Sequence, residues 1–100
     1  MQVTINLDKH PEDIQRQLKL IVYSITYGKQ SPKILCETSG IYRQSFYNLI
    51  QGKTSTRKAQ ELLDRIIPHV PFSHDEEIIQ LAVNIYDLSH EIASKVGESE

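Results

Sequence analysis

Arg43, Gln44, Tyr47, Asn48 and Gln51 are spaced so that a helix gathers them on one side. Their chemistry is distinctive. Arg43 carries a planar fork of donors suited to guanine O6 and N7. Gln44 and Asn48 each hold a donor beside an acceptor, the pairing that matches adenine N6 and N7 in a DNA major groove. An ordinary solvated helix face would also be polar, so the surroundings must decide. Phe46, Leu49 and Ile50 fall at i, i+3, i+4 and supply a buried stripe behind that face. Upstream stand apolar Leu35, small Cys36 and, four residues on, Gly40, where the chain takes a positive φ without a Cβ clash. Ile41 then turns back to the core, and Gly52-Lys53-Thr54 closes the segment. Residues 31–52 therefore read as two short helices joined by a sharp turn, the helix-turn-helix arrangement.

The run GIYRQSFYNLIQGKT, preceded by Leu35 and Cys36, resembles the helix-turn-helix of the phage Cro and repressor family. Leu35, Cys36, Gly40, Ile41, Phe46, Leu49, Gly52 and Lys53 fit its pattern. Cys36 stands where Ala is commoner, and Tyr42 where a Ser or Thr usually caps the second helix. The motif covers about a fifth of the chain. The resemblance implies a repressor-like, all-α domain of phage or plasmid type that reads double-stranded DNA by sequence. Arg43, Gln44, Tyr47 and Asn48 would approach bases from a helix over Arg43–Gln51. Lys33, Tyr42, Lys53, Arg57 and Lys58 would hold phosphates and set register. A transcriptional regulator, by expectation a repressor, would then read a pseudo-palindromic operator as a homodimer. Its half-sites would lie about 34 Å, or a multiple of that, apart.

The charge distribution agrees. The chain carries a net charge of −2, which alone argues weakly against nucleic acid. Residues 1–28 hold three basic and three acidic groups. Residues 29–58 hold six basic side chains against Glu37, net +5. Residues 59–100 hold Arg65 and Lys95 against nine acids, net −7. The basic block coincides with the motif, so the molecule is polarised, one part steering toward phosphate and another repelling it.

The elements that must position this face follow in order, within one domain of 100 residues. Val3, Ile5 and Leu7 alternate with polar residues, so residues 1–9 are expected to form a short strand or an extended arm. His10-Pro11-Glu12-Asp13 starts a helix whose stripe is Ile14, Leu18, Ile21 and Ile25, widened by Leu20, Val22 and Tyr23. Gly28 is expected to end it as a left-handed cap. Ser31 and Pro32 start the second helix, with Ile34, Leu35 and Thr38 expected on its inner side. A fourth helix runs from about Arg57 to Ile67, capped by Ser55 or Thr56, and Pro68 and Pro71 stop it. Ser73-His74-Asp75-Glu76 reads as a capping box opening a fifth helix over 73–96, and residues 97–100 should fray. This gives an all-α, five-helix domain with a short extended N-terminal arm.

Between Ile78 and Leu88, eight of eleven residues are apolar, more than one buried stripe requires. The choice lies between a central core helix and a helix that also meets a second copy. The dimer is favoured, with Ile79, Val83, Tyr86 and Ile92 as the expected contacts.

Other chemistry finds little support. Cys36 reads as a small core residue, since a nucleophile needs exposure and a positive neighbour. The four histidines lie on different elements with no metal-ligand pairing, so no metal and no cofactor are expected. No phosphate-binding glycine loop or catalytic triad spacing occurs, which argues against an enzyme. One cysteine excludes an internal disulfide, and neither a signal peptide nor a membrane span is visible, so a cytoplasmic location is expected. The main rival is a protein-interaction module on the same scaffold: an antitoxin, an anti-repressor or an inhibitor of a nucleic-acid enzyme. Tyr42, Phe46 or the acidic C-terminal helix would then hold the partner, the net −7 of residues 59–100 supporting the last. Stacking of single-stranded RNA on Tyr42 and Tyr47 is a further rival, without an RNA-module motif to carry it.

Overall fold

A computed structural model describes residues 5–28, 30–71 and 75–98. Five α-helices follow one another: α1 (Glu12–Thr26), α2 (Pro32–Ser39), α3 (Arg43–Ile50), α4 (Thr56–Ile66) and α5 (Glu76–Glu98). No strand occurs among the described residues, and no helix there is long and apolar enough to cross a membrane. The core is a single cluster. Ile14, Leu18 and Ile21 of α1 meet Leu35 of α2, Phe46 and Leu49 of α3, Leu63 and Ile66 of α4, and Ala82 of α5.

The N-terminal segment departs from the expected strand. Residues 1–4 lie outside the described residues, but Leu7–Lys9 forms a 3-10 turn. The alternation that looks like a strand places Ile5 and Leu7 against the core instead. A lone strand has no ladder to satisfy its backbone, so this segment finds other partners. The Asn6 N–H donates to the Ile50 carbonyl at 2.9 Å. The Gln15 side-chain amide donates to the carbonyls of Leu7 and His10. From Ile5 onward the segment packs as a strap across α1 and the end of α3, nearer to the packed arm than to the strand.

Three further expectations are corrected. Gly28 does not take a left-handed conformation; α1 ends on Tyr27, whose backbone is right-handed. Glycine is needed at 28 because a Cβ there would stand 2.7 Å from the Ser24 carbonyl oxygen. On α2, Ile34 and Thr38 face outward. Pro32, Leu35 and Cys36 are the buried residues, and their i, i+3, i+4 spacing is the stripe that α2 presents inward. At the far end, α5 continues helically through Gly97 to Glu98, two residues past the expected end, and 99–100 of the stretch expected to fray lie outside the described residues.

The remaining boundaries follow local chemistry. The Ser31 hydroxyl accepts from the Ile34 N–H at 3.1 Å, and Ser55 does the same for Lys58 at 3.3 Å, so Ser55 and not Thr56 caps α4. After Ile66 the chain tightens into a 3-10 turn at Ile67–His69, as Pro68 cannot continue an α-helix. Ser73 and His74 lie outside the described residues. Asp75 itself accepts from the Ile78 N–H at 3.1 Å, filling the capping position ahead of α5. α5 packs chiefly on α1, and the Lys19 ammonium reaches the Asp87 carboxylate across that seam.

Candidate nucleic-acid interface

The turn between α2 and α3 is set by glycine stereochemistry. Gly40 has φ +71°, a region that costs an L-residue about 1–2 kcal/mol. Its N–H reaches back to Cys36 and Glu37, and the Ile41 N–H donates to the Cys36 carbonyl at 3.1 Å. These bonds satisfy the orphan carbonyls of α2 and redirect the chain. Tyr42 occupies the cap position of α3 with an extended backbone and makes no side-chain capping bond. Its ring is 84% exposed. At the other end Gly52, at φ +74°, releases the chain from α3.

α3 is held rigidly from behind. Phe46, Leu49 and Ile50 are all buried in the main cluster. Arg43, Gln44 and Gln51 are exposed and Asn48 is half-buried. The Gln44 amide donates to the Asn48 side-chain oxygen at 3.0 Å. That bond fixes which way both amides point while leaving further donors and an acceptor facing outward. Tyr47 is placed differently from its neighbours. It is half-buried against the core, with its ring edge on Phe46 at 5.7 Å between centroids, so only part of it belongs to the outer face.

The expected phosphate contacts Lys33, Lys53, Arg57 and Lys58 are all exposed, on α2, the following loop and α4. Lys58 stands 3.7 Å from Glu61, an exposed pair of the kind that contributes little in water. A shallow depression of ≈310 Å³ joins two of the expected groups, Asn48 and Lys58, and adds Ser45, Thr54 and Ser55. Sequence reasoning passed over these three hydroxyl residues. The Thr54-Ser55 pair ahead of a basic helix start was the available signal. A separate, wider cleft of ≈910 Å³ between α1 and α5 shares no lining residue with it.

Cys36 is buried on α2, and its thiol is pushed above its ordinary 9.0 by that burial. Arg43 draws it partly back and Glu37 raises it further. A buried thiol held in its neutral form is a packing group, not a nucleophile. Among the described residues no group of three or more His, Cys, Asp or Glu side chains is arranged to hold a metal ion.

The expected dimer contacts separate. Tyr86 is only 4% exposed and Ile79 packs on the core cluster, so both face the interior of the fold. Val83 is half-buried, and Ile92 is fully on the surface. The exposed apolar residues of α5 are instead Ile78, Leu81, Ile85, Leu88 and Ile92, with Val96 beyond. The reason is geometric. Two rows of apolar residues run along α5 at helical spacing, and the row containing Ile79, Ala82 and Tyr86 is the one turned inward on a helix that packs chiefly against α1.

No protein-family model, no curated protein and no solved structure matches this chain.

Proposed function

We propose that the chain is a cytoplasmic, sequence-specific DNA-binding regulator that acts as a homodimer and inserts α3 into the major groove. One observation carries this reading. The exposed face of α3 holds Arg43, Gln44 and Asn48 on a helix locked from behind by Phe46, Leu49 and Ile50 and set off by the left-handed turn at Gly40. Base-edge chemistry on a pre-organised helix is what direct readout requires. Lys33, Lys53, Arg57 and Lys58 supply the surrounding positive charge, and Ser45, Thr54 and Ser55 add donors beside Asn48.

The test is selection of bound duplexes from a random library at near-physiological salt, followed by sequencing. Enrichment of a pseudo-palindrome supports the regulator and its twofold symmetry together. Weak, salt-sensitive binding with no enrichment shifts the assignment to a protein-interaction module. On an enriched site, Arg43→Ala is expected to cost about 1–3 kcal/mol and to relax preference at one base pair. Lys53→Ala should weaken all sequences alike and lower the salt slope by about one. A changed base preference with an unchanged salt slope for Lys53→Ala would reverse the two roles.

A further inference from the structure

Ile78, Leu81, Ile85, Leu88 and Ile92 succeed one another at steps of three, four, three and four residues. Each is between 38% and 59% exposed. A 3-4 repeat of large aliphatic residues is the a/d seam of a coiled coil, whose knobs fill holes only on a second helix. No charged side chain interrupts the row. Asp87 is turned toward α1, where Lys19 holds it, while Glu77 and Glu91 flank the row on one side. An apolar row bordered by carboxylates is a poor fit for nucleic acid or for an anionic lipid surface. Beyond His90, every residue through Gly97 is exposed, so the subunit's own body does not flank the last turns of the helix.

We infer that this seam is covered by the same seam of a second copy, the two α5 helices running parallel. Charge placement selects both occupant and direction. With Ile78 at an a position, Glu77, Asn84 and Glu91 fall at g, and Ala82, Ser89 and Val96 at e. Parallel pairing sets each g residue against the partner's e residue five places on, so Glu91 meets the exposed Val96, while Ala82, opposite Glu77, is buried in its own core and presents no charge. Antiparallel pairing sets g against g and brings the glutamates of the two copies together, where like charges repel. Lys95, at the next d position, is held by Glu91 of its own helix at 3.2 Å, which offsets its charge at the end of the seam. Ile79, Ala82 and Tyr86 lie on the inward side of α5 and outside the seam, so pairing leaves each subunit's core undisturbed.

The inference rests on the homodimer in the proposed function and not on DNA binding. A dimer that selects no duplex would sink the regulator and leave the pairing standing. A monomer that selects a single half-site would do the reverse.

The experiment measures mass by sedimentation equilibrium for the full chain and for Leu81→Glu and Leu88→Glu, with circular dichroism to check helicity. It adds Leu81→Cys and Leu88→Cys, each in a Cys36→Ala background, under mild oxidation. The expected result is a dimer that both glutamate variants convert to a helical monomer, with an intersubunit disulfide in each cysteine variant. In a parallel pair every d residue faces its own copy, whereas in an antiparallel pair only one at the midpoint does. Glutamate variants that stay dimeric overturn the seam, and cross-linking in only one cysteine variant or in neither overturns the direction. A wild-type monomer overturns the whole, whether it stays in solution or floats with phosphatidylcholine vesicles.

Discussion

α3 and α5 each display side chains that their own subunit does not use, but they are built in opposite ways. α3 is eight residues long, buries three large side chains and is bracketed by two positive-φ glycines, Gly40 and Gly52. Its exposed face is polar. α5 is 23 residues long, buries little beyond Ala82 and Tyr86, and exposes a row of aliphatics. The short helix is fixed by its own subunit and offers hydrogen bonds. The long helix is held along one side and offers apolar surface. Direct readout needs the first arrangement, because a loosely held helix would lose in ordering entropy what its contacts gain. The proposed association between copies would use the second, since burying the seam itself would supply the order.

The largest expected effect tests that asymmetry. Phe46→Ala should cost about 3–5 kcal/mol of unfolding free energy, because it empties the fully buried seat of α3. Leu88→Ala, measured dilute enough for the subunit to be monomeric, should change stability by no more than about 0.5 kcal/mol. Denaturant titrations of both variants decide the matter. If Leu88→Ala costs as much as Phe46→Ala under those conditions, the row on α5 belongs to the subunit's own core and the contrast fails.

A smaller effect separates the two ends of α3. At Gly40 a methyl group meets nothing within 4 Å, so Gly40→Ala carries only the left-handed backbone cost of about 1–2 kcal/mol. At Gly52 the same φ penalty applies, and a Cβ would also stand 2.8 Å from Lys9 Cγ and 3.0 Å from the Asn6 carbonyl oxygen. Gly52→Ala should therefore destabilise more than Gly40→Ala and should loosen the strap on which Asn6 bonds to Ile50. Hydrogen exchange at the Asn6 amide reads this directly. Equal costs, with Asn6 protection unchanged, would mean that the strap does not help to fix α3.

How much of this was legible in the sequence follows from how local each determinant is. The α2-turn-α3 unit was readable because Ser31-Pro32, Gly40 and the Phe46-Leu49-Ile50 spacing act within a few residues of themselves. Gly28 was misjudged, and the N-terminal segment left open between strand and packed arm, because their conformations depend on contacts distant in sequence or on a close backbone approach. A glycine after a helix looks the same whether it supplies a positive φ or room for a carbonyl. The excess of apolar residues on α5 was visible, but its division was not. Both rows have helical spacing, and only the position of α1 decides which one is inside. On the candidate surface, Arg43, Gln44 and Asn48 were identifiable by type, whereas Thr54 and Ser55 join Ser45 and Asn48 of α3 only through the path of the loop after that helix.

The smallest expected effect places one titrating group in each region. Cys36 in α2 and Tyr86 in α5 are both raised by burial, the tyrosine from an ordinary 10.0 with Asp87 adding to the shift. A group whose folded pKa lies above its unfolded one contributes full stability below the unfolded value. That contribution is lost as pH rises toward the folded value, because the unfolded chain releases the proton first. Stability should therefore decline on the alkaline side in two stages, the thiol's beginning near pH 9 and the phenol's about one unit higher. Denaturant unfolding measured across this range, with Cys36→Ala and Tyr86→Phe, assigns the stages. Cys36→Ala should flatten the earlier stage and Tyr86→Phe the later one. If Tyr86→Phe leaves the later stage intact, the phenol is not held neutral by the α1–α5 contact. In that case α5 is gripped less firmly than its buried row implies, and the difference between the two regions is larger still.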